Sequence, residues 1–408
     1  MSFLDRTIEP RPRTGEAPLG LDEVFFSRTD GRGVIRAGNQ VFSRVADYPL
    51  EEMIGAPHKI IRHPDMPKGV FQLLWETIAR GETIGAYVKN RARDGLHYWV
   101  FAVVTPHEDG YLSARVKPVS PLRDVVEKEY AALLQLEQSE GLSPEESAEV
   151  LLGRIRELGF ETYHDFASHA LGEELIARDA ELGHNGSCRI SDFRDTLATA
   201  DKLLEETEAL ICDFDAMRTI PHNLRVIASR IEPAGGPVTV LSQNYGTISR
   251  QMSAWFEDHV KGEDSNFRAI RGTVNAAMFV EALSRILTEC QEQLEREDNG
   301  LGTASSAAEH RILQGLAKEK LDRARHWLKA VDAEAGKIMG ACETMHRNFL
   351  ALSTTRVLCK IESARLGSSG EALESIIDQL GVFQDRVSKR LEAIGELGKA
   401  IQAKESRE

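Results

Sequence analysis

Between residues 20 and 118 the apolar positions come in short runs broken by Gly- and Asp-containing turns, a pattern of strands with a few short helices. Val24-Phe25-Phe26-Ser27-Arg28-Thr29 predicts a strand, Asp30-Gly31-Arg32-Gly33 a turn, and Val34-Ile35-Arg36-Ala37 the strand that follows it. Helical signals occupy 39–46 and 67–80. Three further strands are predicted at 85–91, 97–105 and 110–116, with Asp94-Gly95 and Asp109-Gly110 as the hairpin signals between them. The expectation is an α+β domain over 20–118, built on one antiparallel five-stranded sheet with short helices, behind a flexible segment at 1–19.

The pattern then changes. Residues 119–186 read as a charged helical linker, with Leu142-Ser143-Pro144-Glu145-Glu146 as a helix start that has a serine cap, proline at the first position and acids in the first turn. From 187 to 405 charged residues are spaced through apolar ones in long stretches, interrupted at 232–237, 298–302 and 367–370. That predicts four helices of roughly 35–65 residues, far above the usual mean of about 11–12, and such lengths need a bundle or coiled coil to bury their stripe. The first and last interruptions sit in related sequence. Arg230-Ile231-Glu232 precedes one and Lys360-Ile361-Glu362 the other, with apolar pairs leading into polar residues after each. The region is expected to be a degenerate duplication of one helical hairpin, folded as a single-chain four-helix bundle with both turns at one tip.

Composition narrows the functional classes. A net charge of −14 disfavours nonspecific binding to nucleic acid or to anionic membrane. The five cysteines are scattered without a CxxC pair, which suits a reducing compartment and buried thiols. There is no apolar leader at the N-terminus and no run of about 18 apolar residues, so a cytoplasmic protein is expected. No P-loop, GxSxG, kinase ATP-binding or cyclase motif is found, and the Gly-rich turns lie between helices, so no enzymatic output is expected.

Candidate chemistry concentrates in Gly55–Asn90. His58, Arg62, His63 and Asp65 fall among Pro57, Pro64 and Pro67, which stiffen the segment. Arg62, His63 and Asp65 read either as pocket groups or as a salt-bridged, proline-braced loop without ligand contact. The strings Ile61-Arg62-His63-Pro64-Asp65-Met66-Pro67 and Val88-Lys89-Asn90-Arg91, with Asn39, Phe71, Trp75, Asp94-Gly95 and Tyr98-Trp99-Val100, make this domain resemble the PAS domain of aerotaxis receptors. The resemblance spans about 95 residues and implies a PAS fold, a non-covalent FAD whose redox state is the signal, and a pocket at Asn39, Arg62, His63, Asp65, Trp75 and Asn90. Asn90 offers a donor and an acceptor for the ring's pyrimidine edge. Where that family carries a tryptophan before VKNR, this chain has Ile84. No cysteine lies in 1–187, which excludes a flavin–cysteine adduct, and haem would need His58, His63 or His97 as its ligand.

The two helical turns resemble the cytoplasmic tip of methyl-accepting chemotaxis proteins. Asn223-Leu224 and Ile231-Glu232 carry the first copy, Ile361-Glu362-x-Ala364-Arg365 the second. That resemblance implies binding of a chemotaxis histidine kinase and its coupling adaptor, or of other chemoreceptors, through Asn223, Leu224, Ile231, Glu232, Ile361 and Glu362, with homodimers through the PAS domain or the bundle. The expected function is a redox or oxygen sensor for energy taxis. The alternative from another class is a PAS interaction scaffold with an empty or haem-type pocket.

Overall fold

The computed structural model describes residues 11–405 except 109, 185–187, 218–219, 232–235, 257–265, 299–303 and 366–370. Strands β1 (Val24–Asp30), β2 (Ile35–Gly38), β3 (Ile84–Arg91), β4 (His97–His107) and β5 (Gly110–Val116) form one antiparallel sheet in the order β2-β1-β5-β4-β3. The short helices α1 (Gln40–Ala46), α2 (Leu50–Met53) and α3 (Lys68–Ala79) and a 3-10 turn at His58–Ile61 connect β2 to β3. This is the five-stranded antiparallel sheet with short helices that the strand and turn pattern predicts, the architecture that the resemblance to PAS domains implies, and long helices follow it.

Two compact units divide the chain. One comprises Met1–Arg194 with Asn275–His326, the other Asp195–Val274 with Trp327–Glu408. The units therefore do not follow the expected division at 186/187, because 275–326 belongs with the sheet. Nor is 11–19 a flexible tail. Ala17 and Leu19 are buried in the core, the Ala17 N–H donates to the His97 carbonyl at 2.8 Å, and Arg11 pairs with Asp94 at 2.6 Å.

In the first unit, α4 (Leu122–Glu140), α5 (Pro144–Glu157) and α6 (Tyr163–Leu182) are packed elements of the core. Helix α5 starts as predicted, with Ser143 and Glu146 closing a capping box. It lies so close to α3 that a Cβ on Gly69 would sit 2.5 Å from the backbone of Ser147 and Ala148. The carboxylate of Glu137, 5% exposed, accepts from the Lys68 N–H at the start of α3 and from the Ser147 hydroxyl, both at 2.6 Å. Tyr87 and Trp99 face α6 and α4, through Glu174 and Tyr130.

Helices α10 (Asn266–Asp298) and α11 (Ala304–Arg365) contribute their 275–298 and 304–326 parts to this unit. Phe279 reaches Gly85 and the His164 ring. Arg285 pairs with Asp179 and Arg178 with Glu289, and Arg28 of β1 donates through Nε to Glu309 at 3.1 Å. Glu297 caps helix α1 from outside, accepting from the Gln40 N–H at 2.6 Å and from the Asn39 amide at 3.0 Å.

The second unit is helical: the remaining parts of α7 (Cys188–Met217), α10 and α11, with α8 (Ile220–Ile231), α9 (Pro237–Phe256) and α12 (Glu371–Glu405). The region 187–405 holds long helical segments among the described residues. Leu373, Ile377 and Leu380, which follow the last interruption, pack with Leu224, Ala228, Val238 and Leu241, which flank the first. The approaches to both turns therefore share one apolar cluster, while 232–235 and 366–370 lie outside the described residues. Phe214, Phe349 and Phe383 join α7, α11 and α12 at ring separations of 5.4–5.9 Å.

Candidate functional site

Alternation along the strands gives the sheet two buried faces. One carries Arg28, Tyr87 and Phe101 towards the helices. The other carries Ser27 and Thr29, Val88 and Asn90, Ala102 and Val104, and Tyr111, Ser113 and Arg115, and these line a cavity of about 150 Å³. The opposite wall comes from the segment between β2 and α3, through Gly33, His58, Lys59 and Arg62, and from Phe71, Leu74, Trp75 and Ile78 of α3. Among the described residues this cavity combines an apolar floor with convergent polar groups, the ordinary composition of a small-molecule site.

Arg115 is the deepest charge in it. Its side chain is 4% exposed and lies 5.4 Å from the ring centroids of both Phe25 and Phe42. One N–H donates to the Ser27 hydroxyl at 3.0 Å and another reaches His58 Nε2 at 2.6 Å. Burial, more than any neighbour, pushes the guanidinium pKa down to about 10. Burial is also the main reason that His58 falls to about 3, with the Arg115 charge adding to it. His58 is therefore neutral, and its Nε2 is the acceptor for Arg115.

Two further groups on this face, the Asn90 amide nitrogen and the Ser113 hydroxyl, both buried, have no hydrogen-bond partner among the described residues. Arg62 lies over the Phe71 ring at 3.9 Å and pairs as a β-bridge with Asn90, so the RHPDMP string and strand β3 meet at the cavity. Burial lowers its pKa as well. Trp75 forms the rim, 42% exposed and edge-on to Tyr111 at 5.7 Å.

Of the six expected pocket residues, Arg62, Trp75 and Asn90 line the cavity. Asn39, His63 and Asp65 do not. Asn39 is consumed by structure: its carbonyl oxygen accepts from the Phe26 N–H at 3.3 Å and its amide donates to Val24 and Glu297. Asp65 pairs with Lys89 at 2.8 Å, and its N–H donates to His63 Nδ1 at 3.1 Å. The Lys89 bond, above all, holds the Asp65 carboxyl below the usual range, and burial lowers His63, whose ring packs on His97. His63 and Asp65 thus form the salt-bridged loop. The residues that sequence reasoning missed, Ser27, Ser113 and Arg115, left a signal: polar side chains at alternate positions of strands that are otherwise apolar.

At the helical turns, Leu224 is buried in the cluster described above and is no surface contact, whereas Asn223 is exposed and Ile361 is 51% exposed. Glu232 lies outside the described residues, and of Ile231 and Glu362 only the helical backbone is described. Val357 and Leu358 are exposed beside Ile361. Among the described residues no helix is long and apolar enough to cross a membrane, and no group of three His, Cys, Asp or Glu is placed to hold a metal ion.

Comparison with known proteins bears on the fold of the N-terminal part. The family model described as PAS fold matches residues 36–113. The aerotaxis receptor of Escherichia coli is 40% identical over 121 residues, covering 28% of this chain and 24% of the receptor. The nitrogen fixation regulatory protein of Klebsiella pneumoniae is 29% identical over 83 residues, 20% of this chain and 17% of that protein. A solved structure titled "Flavin Analogue Sheds Light on Light-Oxygen-Voltage Domain Mechanism" aligns at 22% identity with a TM-score of 0.22, over 29% of this chain and 87% of its own. The chain spans about a quarter or less of the curated relatives it matches. The sheet, its connecting helices and the family match together identify the N-terminal part of this chain as a PAS domain, similar to that of the aerotaxis receptor, with a mostly helical region after it.

Proposed function

We propose that this chain is a redox or oxygen sensor for energy taxis: its PAS cavity binds a flavin, and its helices report the flavin's state to a chemotaxis-type kinase and adaptor. The observation that carries the reading is the pair of buried, unsatisfied hydrogen-bonding groups on the cavity face, Asn90 Nδ2 and Ser113 Oγ. Each such group costs about 1–3 kcal/mol while unmet, so a ligand with acceptors at that edge recovers the loss. The 40% identity to the aerotaxis receptor supports flavin as that ligand.

The residues suit a flat heteroaromatic ring. Asn90, Ser113 and Arg115 would hold its polar edge, Val88, Val104 and Leu74 its faces, and Trp75 would close the mouth. At about 150 Å³ the cavity is smaller than the ~300 Å³ at which ligand pockets usually begin, so a three-ring ligand requires its walls to open. When bound, flavin supplies a ring that takes up and releases electrons. The chain's part is to change hydrogen bonds with the charge on that ring, a bias on two states and not catalysis. Isolated under native conditions, the protein is expected to show the paired blue and near-ultraviolet bands of flavin. Asn90→Leu, which keeps the volume and removes the amide, lowers the flavin-to-protein ratio by about tenfold. A colourless wild type would reject the flavin reading.

For the output, the exposed row of Val357, Leu358 and Ile361 supports a partner-binding role for the second hairpin, since apolar groups grouped on a surface mark contact sites. Ile361→Glu is expected to abolish retention of the coupling adaptor and kinase in a pull-down while leaving the melting temperature within about 2 °C, as exposed positions allow. Undiminished retention would reject the tip as the docking site.

A further inference from the structure

In a chain of net charge −14, the cavity is lined by three basic side chains, Lys59, Arg62 and Arg115, and by no acidic one. Arg115 is the decisive group. A guanidinium carries five N–H donors and no acceptor. Here one donor goes to a serine hydroxyl and one to a neutral imidazole. Neither partner carries a charge, and Arg115 has no ion pair with a carboxylate among the described residues. Buried cations are ordinarily paired, because an uncompensated charge in an apolar setting costs several kcal/mol. The two aromatic rings beside it, Phe25 and Phe42, recover only a part of that cost. Asn90 Nδ2, an obligate donor, and Ser113 Oγ stand unmatched on the same face. Everything this end of the cavity lacks is an acceptor, and what Arg115 lacks is a negative one.

We infer that the cavity takes its ligand by a negatively charged, acceptor-bearing edge of a planar ring, with Arg115 as the counter-charge and Asn90 and Ser113 as neutral partners. The inference rests on the reading of the cavity as a ligand site. Two sources supply that chemistry: a flavin whose ring has lost a proton, or a free one-ring aromatic carboxylate, for which a cavity of about 150 Å³ is already large enough.

The test uses the full chain as wild type, as Arg115→Lys, which keeps the charge, and as Arg115→Met, which keeps the length without it; thermal melts check that each is folded. If the wild type is isolated with flavin, its absorbance is followed as the pH is raised. The bound ring is expected to lose its proton at least one pH unit lower in wild type and Arg115→Lys than in Arg115→Met, or Arg115→Met alone is isolated without flavin. Equal titration in all three proteins, or equal loss of flavin from both variants, overturns the inference and leaves the flavin reading standing. If the wild type is colourless, the flavin reading fails and the charge inference is tested separately by calorimetry with benzoate and its neutral isostere benzamide. Benzoate is then expected to bind at least tenfold more tightly than benzamide to wild type, with the preference lost in Arg115→Met. Equal affinities, or no binding of either probe, overturn the inference.

Discussion

His58→Gln makes the PAS sheet less sensitive to acid. In the folded chain His58 stays neutral down to about pH 3, whereas an unfolded histidine titrates near 6.5. Below pH 6.5 the unfolded chain takes up a proton that the folded one refuses. Stability is therefore complete above that pH and falls as the pH drops through 6.5 towards 3. By pH 4.5 the loss from this one group amounts to about 2–3 kcal/mol. Burial is the larger cause and the Arg115 charge the second. Glutamine keeps an acceptor for Arg115 and cannot be protonated in this range. His63 and His164 are also held below the ordinary value, so the wild type keeps some slope, and the difference between the two proteins isolates His58. Asp30, Asp65 and Asp94, held low by their hydrogen bonds, lose their contribution only at still lower pH. Hydrogen-exchange protection of the β4 and β5 amides, corrected for intrinsic rates at pH 7 and 4.5, reads the first unit specifically. Parallel losses in wild type and variant would show that His58 is not the acid-sensitive group.

The same residue shows what sequence could and could not disclose. The five strands and the turns at Asp30-Gly31 and Asp94-Gly95 were legible, because period-two alternation and turn chemistry are local, while Asp109 lies outside the described residues. The cavity was half legible. Arg62 and Asn90 lie in strings dense enough to stand out, yet His63 and Asp65, from the same string, turn away to His97 and Lys89. Closeness in sequence on a proline-braced segment does not say which side chain faces inward. Ser27 and Arg115 are 88 residues apart and are joined only by sheet order, which spacing does not supply. The hairpin of α10 and α11 was hidden for a different reason. An amphipathic stripe demands burial without naming its partner, so Glu297 and Glu309 gave no sign that they would engage Gln40 and Arg28, 257 and 281 residues earlier.

Glu174→Ala is expected to lower the stability of the first unit by about 3–5 kcal/mol. The carboxylate is fully buried and accepts four hydrogen bonds: from the Tyr87 hydroxyl at 2.6 Å, the Val119 N–H at 2.6 Å, and the Ser120 N–H and hydroxyl at 2.9 and 2.6 Å. Alanine leaves all four donors unmet in the interior. Glutamine keeps one acceptor oxygen but turns its amide towards groups that are themselves donors, so Glu174→Gln recovers only a part, with a loss of about 1–3 kcal/mol. Burial and the adjacent Glu174 charge together push the Tyr87 hydroxyl well above the ordinary phenol range, so it remains a donor at every accessible pH. Position makes the residue matter beyond stability. Tyr87 belongs to β3, next to the cavity-lining Val88; Val119 and Ser120 follow the last strand, and Glu174 itself lies on α6. One carboxylate thus fastens the sheet, the chain that leaves it and a covering helix at a single point. In Glu174→Gln the amides of 117–122 and of α6 are expected to exchange about tenfold or more faster while β1 and β2 change little. Uniform acceleration across the whole unit would mean that Glu174 only adds stability; a confined one makes it the joint through which a change at β3 reaches the helices.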